Sequence, residues 1–334
     1  MRKLTLLSLC GIASMGLLAG CSSSSNNQET TATATTETTT TTEEATNNSE
    51  PSENTSSEGI TITHSKGTTT VPLNPEKVVV FDMGVLDTLD TLGVEAEYAV
   101  PTASLPDSLK EYETATNAGG IKEPDIEGIY EFEPDVIFIS GRQSDFYEEL
   151  SEIAPTVYVD LNADTYMEDF TENATYLAEI FEKTDELSSH LDEINSMIEE
   201  GQKLADASEA RGLIILTNDG SMSAYGKGSR FGIVHDVLNV KVADENIEVS
   251  THGQEASYEY IAEVNPDILF VVDRATITGG TTLASTTLDN ELVNGTNAAK
   301  NGKIVYLDAE AWYLSGGGIS AVKTMVSEVV NALK

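Results

Sequence analysis

Residues 127–142 read EGIYEFEPDVIFISGR, and residues 259–274 read EYIAEVNPDILFVVDR. The two stretches are one pattern written twice. Glu127 aligns with Glu259, Ile129 with Ile261 and Glu131 with Glu263. Pro134 and Asp135 align with Pro266 and Asp267, Phe138 with Phe270, and Arg142 with Arg274, all at one spacing. A long-period repeat predicts two similar structural units. Each copy predicts a short helix, a Pro-Asp turn, a buried strand and an arginine at the strand's carboxyl end. In open α/β sheets, ligands sit at the carboxyl ends of strands. Two units that each offer an arginine there imply an anionic ligand held between them.

The flanking sequence extends the pattern. Glu76–Phe81 is a β-branched run after Pro75 and predicts a buried strand; Leu86–Leu92 has helical spacing and stops at Gly93. Further strands are expected at Val94–Val100, Thr156–Asp160, Gly212–Thr217 and Lys303–Leu307. Helices are expected at Phe146–Ile153, Phe231–Leu238 and Ile319–Leu333. Alternating strands and helices predict an α/β fold with largely parallel sheets. Thr165-Tyr166-Met167-Glu168 has the capping-box pattern and predicts a helix start at Thr165. The stretch from Asp185 to about Ala207 predicts a helix roughly 35 Å long, enough to bridge two lobes.

The amino terminus reads as a targeting segment. Arg2 and Lys3 precede an apolar run, Leu4–Leu18, too short to span a bilayer as a stable helix. Leu18-Ala19-Gly20-Cys21 resembles the lipobox of bacterial lipoproteins, which implies cleavage after Gly20 and a lipid on Cys21. Residues 22–58 are dominated by Ser, Thr, Asn and Glu and carry no Lys or Arg, the composition of a disordered tether. The expected organisation is therefore a signal segment (1–20), a lipidated tether (21–58), an amino-terminal α/β lobe (59–164), a helical linker (165–208) and a carboxy-terminal α/β lobe (209–334). Cys10 and Cys21 are the chain's two cysteines, so the folded part has neither a disulfide nor a thiolate metal ligand. A formal charge of −38 argues against a nucleic-acid partner. It also means that an anionic ligand must be drawn by local positive charge.

That charge is scarce. Beyond Arg2, the arginines are Arg142, Arg211, Arg230 and Arg274, three of them at expected loop or strand-end positions. Guanidinium forks suit anionic oxygens and stack on aromatic rings; a structural ion pair explains any one of them equally well. His252 lies in a polar loop, Ser250-Thr251-His252-Gly253-Gln254, and Tyr313 follows Trp312 just before Gly316-Gly317-Gly318. The glycine run suits either amides facing an anion or a tight turn. Spacing alone does not join these residues into one site.

Seven stretches do so by resemblance. They are Val78–Asp82 (VVVFD), Ile139–Gln143 (ISGRQ), Leu216–Gly220 (LTNDG), Ser223–Gly226 (SAYG), Gly228–Gly232 (GSRFG), Ser250–Gln254 (STHGQ) and Trp312–Gly318 (WYLSGGG). From Ile60 onward the chain resembles the catecholate-siderophore-binding lipoproteins of bacterial iron ABC transporters, of the petrobactin and enterobactin type. The resemblance implies two Rossmann-like α/β lobes joined by a long rigid helix. It implies a ligand site of Arg142, Arg230, Arg274, Trp312, Tyr313 and His252, with His252 and Tyr313 as ligands to the iron of the chelate. It also implies docking of Glu127 and Glu259 on an ABC permease dimer, and a monomer lipid-anchored to the cell membrane, with a ferric siderophore as cargo and no intrinsic cofactor. A haem or cobalamin carrier and a surface adhesin are the alternatives. No Gly-x-Ser-x-Gly elbow or His-Glu-x-x-His motif supports an enzyme.

Overall fold

Both copies of the repeat fold alike, and the reason is visible at the Pro-Asp step. Helix Ile126–Phe132 is capped by the Asp125 carboxylate, which accepts from the Gly128 N–H, and ends at Glu133 in the left-handed region. Helix Tyr258–Val264 is capped by Ser257, which accepts from the Tyr260 N–H, and ends at Asn265 in the same conformation. After each proline the aspartate turns back to the start of a neighbouring strand. Asp135 Oδ2 accepts from the Glu76 and Lys77 N–H groups, both at 2.9 Å, and Asp267 Oδ2 accepts from the Arg211 N–H at 3.0 Å. The strands that follow, Val136–Ile139 and Ile268–Asp273, then pair in parallel with Lys77–Val80 and Arg211–Asn218.

The computed structural model describes residues 59–334, so the signal segment, Cys21 and the tether lie outside the described residues. One sheet has five parallel strands in the order Thr116–Asn117, Glu97–Val100, Lys77–Val80, Val136–Ile139, Thr156–Tyr158. The other runs Gln254–Glu255, Ser221–Tyr225, Arg211–Asn218, Ile268–Asp273, Ile304–Leu307, with Lys241–Val242 also on Arg211–Asn218. Its first two steps are antiparallel and the rest parallel. A hairpin, Gly59–His64 with Gly67–Pro72, precedes the first sheet.

Strand alternation sorts the core into three. Val78, Val80 and Phe138 of one sheet and Ile214, Leu216, Phe270 and Val272 of the other face a single continuous core. Val79, Phe81, Ile137 and Ile139 face a second core behind the first sheet, and Leu213, Ile215, Leu269 and Val271 a third behind the other. The repeat pair Phe138 and Phe270 thus both point into the shared core. Its middle is helical. Helix Thr184–Ala207, about 36 Å long at 1.5 Å per residue, packs on helices Tyr166–Ile180 and Ile319–Leu333. Along its length Lys323 Nζ lies 2.9 Å from His190 Nδ1, and nearer the carboxyl end Gln202 Nε2 donates to the Val237 carbonyl at 2.8 Å. The described residues fall within one compact unit.

Two local expectations change. The helix beginning at Tyr166 has no capping box, because the Thr165 hydroxyl donates to the Asp169 carboxylate instead of accepting from the helix amides. Phe231–Leu238 contains only a five-residue π-helical turn, Ile233–Val237, since Gly232 and the buried Ser229 fold the segment's start into a tight loop.

Candidate functional site

Three of the folded part's four arginines converge on one ring. The guanidinium carbons of Arg230, Arg274 and Arg142 lie 4.5, 5.3 and 5.8 Å from the Tyr313 ring centroid. Arg142 Nη2 also donates to the Tyr313 carbonyl at 2.9 Å, and Arg230 Nη2 to the same oxygen at 3.4 Å. The fourth, Arg211, sits at the amino end of its strand, with Nε 3.8 Å from Asp267. The repeat thus brings Arg142 and Arg274 together from equivalent strand ends, and Arg211 is structural.

Each arginine is held from behind. Arg142 lies in a 3-10 turn, Gly141–Phe146, closed by a reciprocal Ser140–Gln143 capping box; Gln143 is fully buried and donates to the Ile121 carbonyl. Arg274 opens a short helix. Its N–H donates to the Thr217 carbonyl at 2.9 Å, and Asp273 before it accepts from the Ala275 and Ala284 amides. Arg230 follows a loop in which Ser229 Oγ donates to the Gly226 carbonyl and Gly228 N–H to Asp236. Although Arg230 retains exposed surface, the protein around it pushes its pKa down. The Tyr313 and Tyr225 phenols oppose that shift, and Arg142 adds to it. Arg274 Nε is buried and has no hydrogen-bond partner among the described residues.

Tyr313 is carried by helix Ala309–Tyr313, whose cap Asp308 accepts from the Glu310 and Ala311 amides. Glu328, on the last helix, clamps this turn: Oε1 accepts from the Asp308 N–H at 2.9 Å and Oε2 from the Trp312 indole N–H at 2.7 Å. Burial raises the Glu328 pKa, and the two donors oppose the rise. Trp312 is only 3% exposed and its ring tilts against Phe231 at 6.1 Å. Trp312 thus packs behind Tyr313, with its polar edge committed to Glu328.

The glycine run serves packing. A Cβ on Gly84 would lie 2.9 Å from Gly317 C and Gly318 N, so the first turn of helix Met83–Thr91 rests directly on that backbone. Asp87, 3% exposed, accepts from the Ser320 amide at 2.8 Å, the Ser320 hydroxyl and the Ala321 amide. The anion at the last helix's amino terminus is thus the protein's own carboxylate, whose pKa burial pushes up against the opposing Ser320 and Ala321 hydrogen bonds. Tyr166 donates to the Gly316 carbonyl from the opposite side.

His252 is exposed in the turn before strand Gln254–Glu255, next to the Tyr225 ring on which Gly253 lies. Glu127 and Glu259 are exposed at the second position of their equivalent helices. Among the described residues no three His, Cys, Asp or Glu side chains gather as a metal cluster, and no helix is long and apolar enough to cross a membrane. A groove of about 720 Å³ lies elsewhere, between Ile60–Thr63 and helix Tyr166–Ile180. Its charged lining is Glu168, Glu172 and Glu179, which repels an anion. Glu328, Gly84 and Asp87 were not predicted, and nothing in their own spacing marks them; Gln143 was not predicted either, although Ser140-x-x-Gln143 has the capping-box spacing.

The family model for periplasmic binding proteins matches residues 78–311. The chain is 44% identical over 291 residues to the petrobactin-binding protein YclQ of Bacillus subtilis, covering 86% of this chain and 92% of that protein. The crystal structure of YclQ superposes with a TM-score of 0.80 over 83% of this chain and 99% of the other. The ferric-anguibactin-binding protein FatB of Vibrio anguillarum is 34% identical over 81% of this chain and 86% of its own. The periplasmic catecholate-siderophore-binding protein VctP of Vibrio cholerae, 34% identical, superposes with a TM-score of 0.76 over 81% of this chain and 99% of its own. Matched across both sheets and the helices between them, this chain belongs to the periplasmic binding protein family.

Proposed function

We propose that this chain captures ferric catecholate siderophores at the Tyr313 cluster and delivers them to an ABC importer. The observation that carries the reading is the convergence of Arg142, Arg230 and Arg274 on one phenol ring in a chain of net charge −38. A ferric catecholate is an anionic chelate rich in oxygen acceptors and walled by aromatic rings. Guanidiniums complement all three properties. A buried unpaired donor such as Arg274 Nε costs about 1–3 kcal/mol, which a chelate oxygen offsets. The relatives' binding of petrobactin, ferric anguibactin and a catecholate siderophore supports the same class.

Ferric iron prefers oxygen donors in octahedral geometry. In this reading a tetradentate bis-catecholate leaves two positions, which Tyr313 and His252 fill; a hexadentate chelate leaves none and rests on the arginines. The protein acts as a monomeric carrier that does not transform its ligand. Residues 59–164 and 209–334 act as its two lobes about the 165–208 linker, and a lipid on Cys21 holds it to the outer face of the cell membrane. Glu127 and Glu259, exposed at equivalent positions, meet the two halves of a permease dimer.

Trp312, the chain's single tryptophan, reports binding. Titration with ferric bis-catecholate, ferric tris-catecholate and a ferric hydroxamate is expected to quench it with the two catecholates alone. Absence of quenching by either catecholate, together with absence of binding by calorimetry, refutes the proposal.

A further inference from the structure

Tyr313 and His252 are far apart in sequence, yet one packed series connects them. Trp312, next to Tyr313, tilts against Phe231 at 6.1 Å; Phe231, fully buried, meets Tyr225 edge-on at 4.8 Å. Tyr225 is itself only 3% exposed and ends strand Ser221–Tyr225. On its other side lies the main chain of Gly253. A Cβ there would stand 2.7 Å from both Cε2 and Cζ of the Tyr225 ring and 2.9 Å from the Ala224 carbonyl, and φ is +74°. Glycine alone fits, on both counts.

The turn is otherwise lightly held. Gly253 N–H donates to the Ser250 carbonyl at 3.2 Å, and Ser250 Oγ donates to the Gly253 carbonyl at 3.0 Å. Gln254 then pairs with Ala224, next to Tyr225. The exposed His252 side chain makes no hydrogen bond of its own among the described residues, so its place is set through its backbone.

We propose that Tyr225 is a positioning residue for His252, its ring being the platform that fixes the Ser250–Gly253 turn at the height where the imidazole reaches the chelated iron. The inference rests on the siderophore reading above and deepens it. It assigns the ring, rather than the hydroxyl, as the working part, and it makes selectivity for tetradentate over hexadentate chelates a property of this aromatic series.

The experiment measures binding of a two-armed ferric bis-catecholate and a three-armed ferric tris-catecholate to the full-length protein. The variants are His252→Ala, Tyr225→Phe, Tyr225→Leu, Gly253→Ala and the Tyr225→Leu/His252→Ala pair. Losing an outer support of a metal ligand typically costs about 10–100-fold in affinity. Tyr225→Leu is expected to weaken the bis-catecholate by about tenfold or more, to shift its visible absorption band as His252→Ala does, and to leave the tris-catecholate unchanged. Tyr225→Phe restores wild-type behaviour. The double variant is no weaker than His252→Ala, because both changes remove one interaction. Gly253→Ala leaves the ring in place and lifts the turn, and reproduces the selective loss even if Tyr225→Leu folds poorly.

Equal weakening of both chelates, additivity in the double variant, or wild-type binding by Tyr225→Leu and Gly253→Ala each overturns the inference. A wild-type protein that binds neither chelate refutes the siderophore reading itself, which separates the two failures.

Discussion

Replacing the four arginines one at a time by methionine separates the ligand site from the scaffold. The triad guanidiniums lie 4.5–5.8 Å from the Tyr313 ring centroid. A chelate charge about 6 Å from one of them interacts at about 3 kcal/mol at an effective dielectric of 20. Residual solvent roughly halves this at the more open positions, leaving about 1.5–3 kcal/mol, or ten- to hundredfold in Kd. Arg230→Met is expected to cost most, because its guanidinium lies nearest the Tyr313 ring, 4.5 Å from the centroid. Arg142→Met also removes the 2.9 Å hydrogen bond to the Tyr313 carbonyl. Arg211→Met, at the opposite strand end beside Asp267, leaves Kd unchanged. The assay is Trp312 quenching at low and high salt, with the wild type losing more affinity on salt addition than any triad variant. Wild-type affinity in Arg230→Met, or an equal loss in Arg211→Met, refutes the electrostatic reasoning.

Gly84→Ala gains up to about 1 kcal/mol in helix propensity but drives a Cβ to 2.9 Å from the Gly317–Gly318 backbone, and such overpacking costs about 1–3 kcal/mol. The variant is expected to unfold at lower denaturant and to bind more weakly, and a raised midpoint contradicts the contact. Glu328→Leu strands the Asp308 and Trp312 N–H groups, so a loss of about 2 kcal/mol and a blue-shifted Trp312 emission are expected, with Glu328→Gln between it and wild type. His235 is 4% exposed, and burial lowers its pKa from 6.5, the Val240 hydrogen bond opposing that shift. The unfolded state therefore binds its proton first, and stability falls by up to about 1.4 kcal/mol per pH unit as pH drops below about 6.5. His235→Gln is expected to flatten that decline, as measured by denaturation midpoints across the range.

The repeat was legible because its parts are local. A capped short helix, a Pro-Asp step and a β-branched run all declare themselves within sixteen residues, and the offset between copies places Arg142 and Arg274 at matching strand ends. Arg230 and Tyr313 could be joined to them only through family resemblance, since no spacing rule connects residues in separate loops. The supports were illegible for a related reason. Asp87 meets Ser320, Gly84 meets Gly317 and Tyr225 meets Gly253 across long stretches of chain, and each is an ordinary residue in its own neighbourhood. Thr165 shows the converse: the capping-box letters were present, but a nearer acceptor on Asp169 took the hydroxyl proton. The burial of Trp312 was illegible because a loop aromatic beside a candidate ligand looks exposed until Glu328 supplies a buried acceptor for its indole.

In the proposed function, Tyr313 and its three arginines form the seat of a ferric catecholate. A crystal structure of the protein with a ferric bis-catecholate tests it most directly. The iron is expected at bonding distance from Tyr313 Oη, with guanidinium N–H groups of Arg142, Arg230 and Arg274 on catecholate oxygens. A chelate bound away from Tyr313, for instance in the glutamate-lined groove beside Ile60–Thr63, contradicts it.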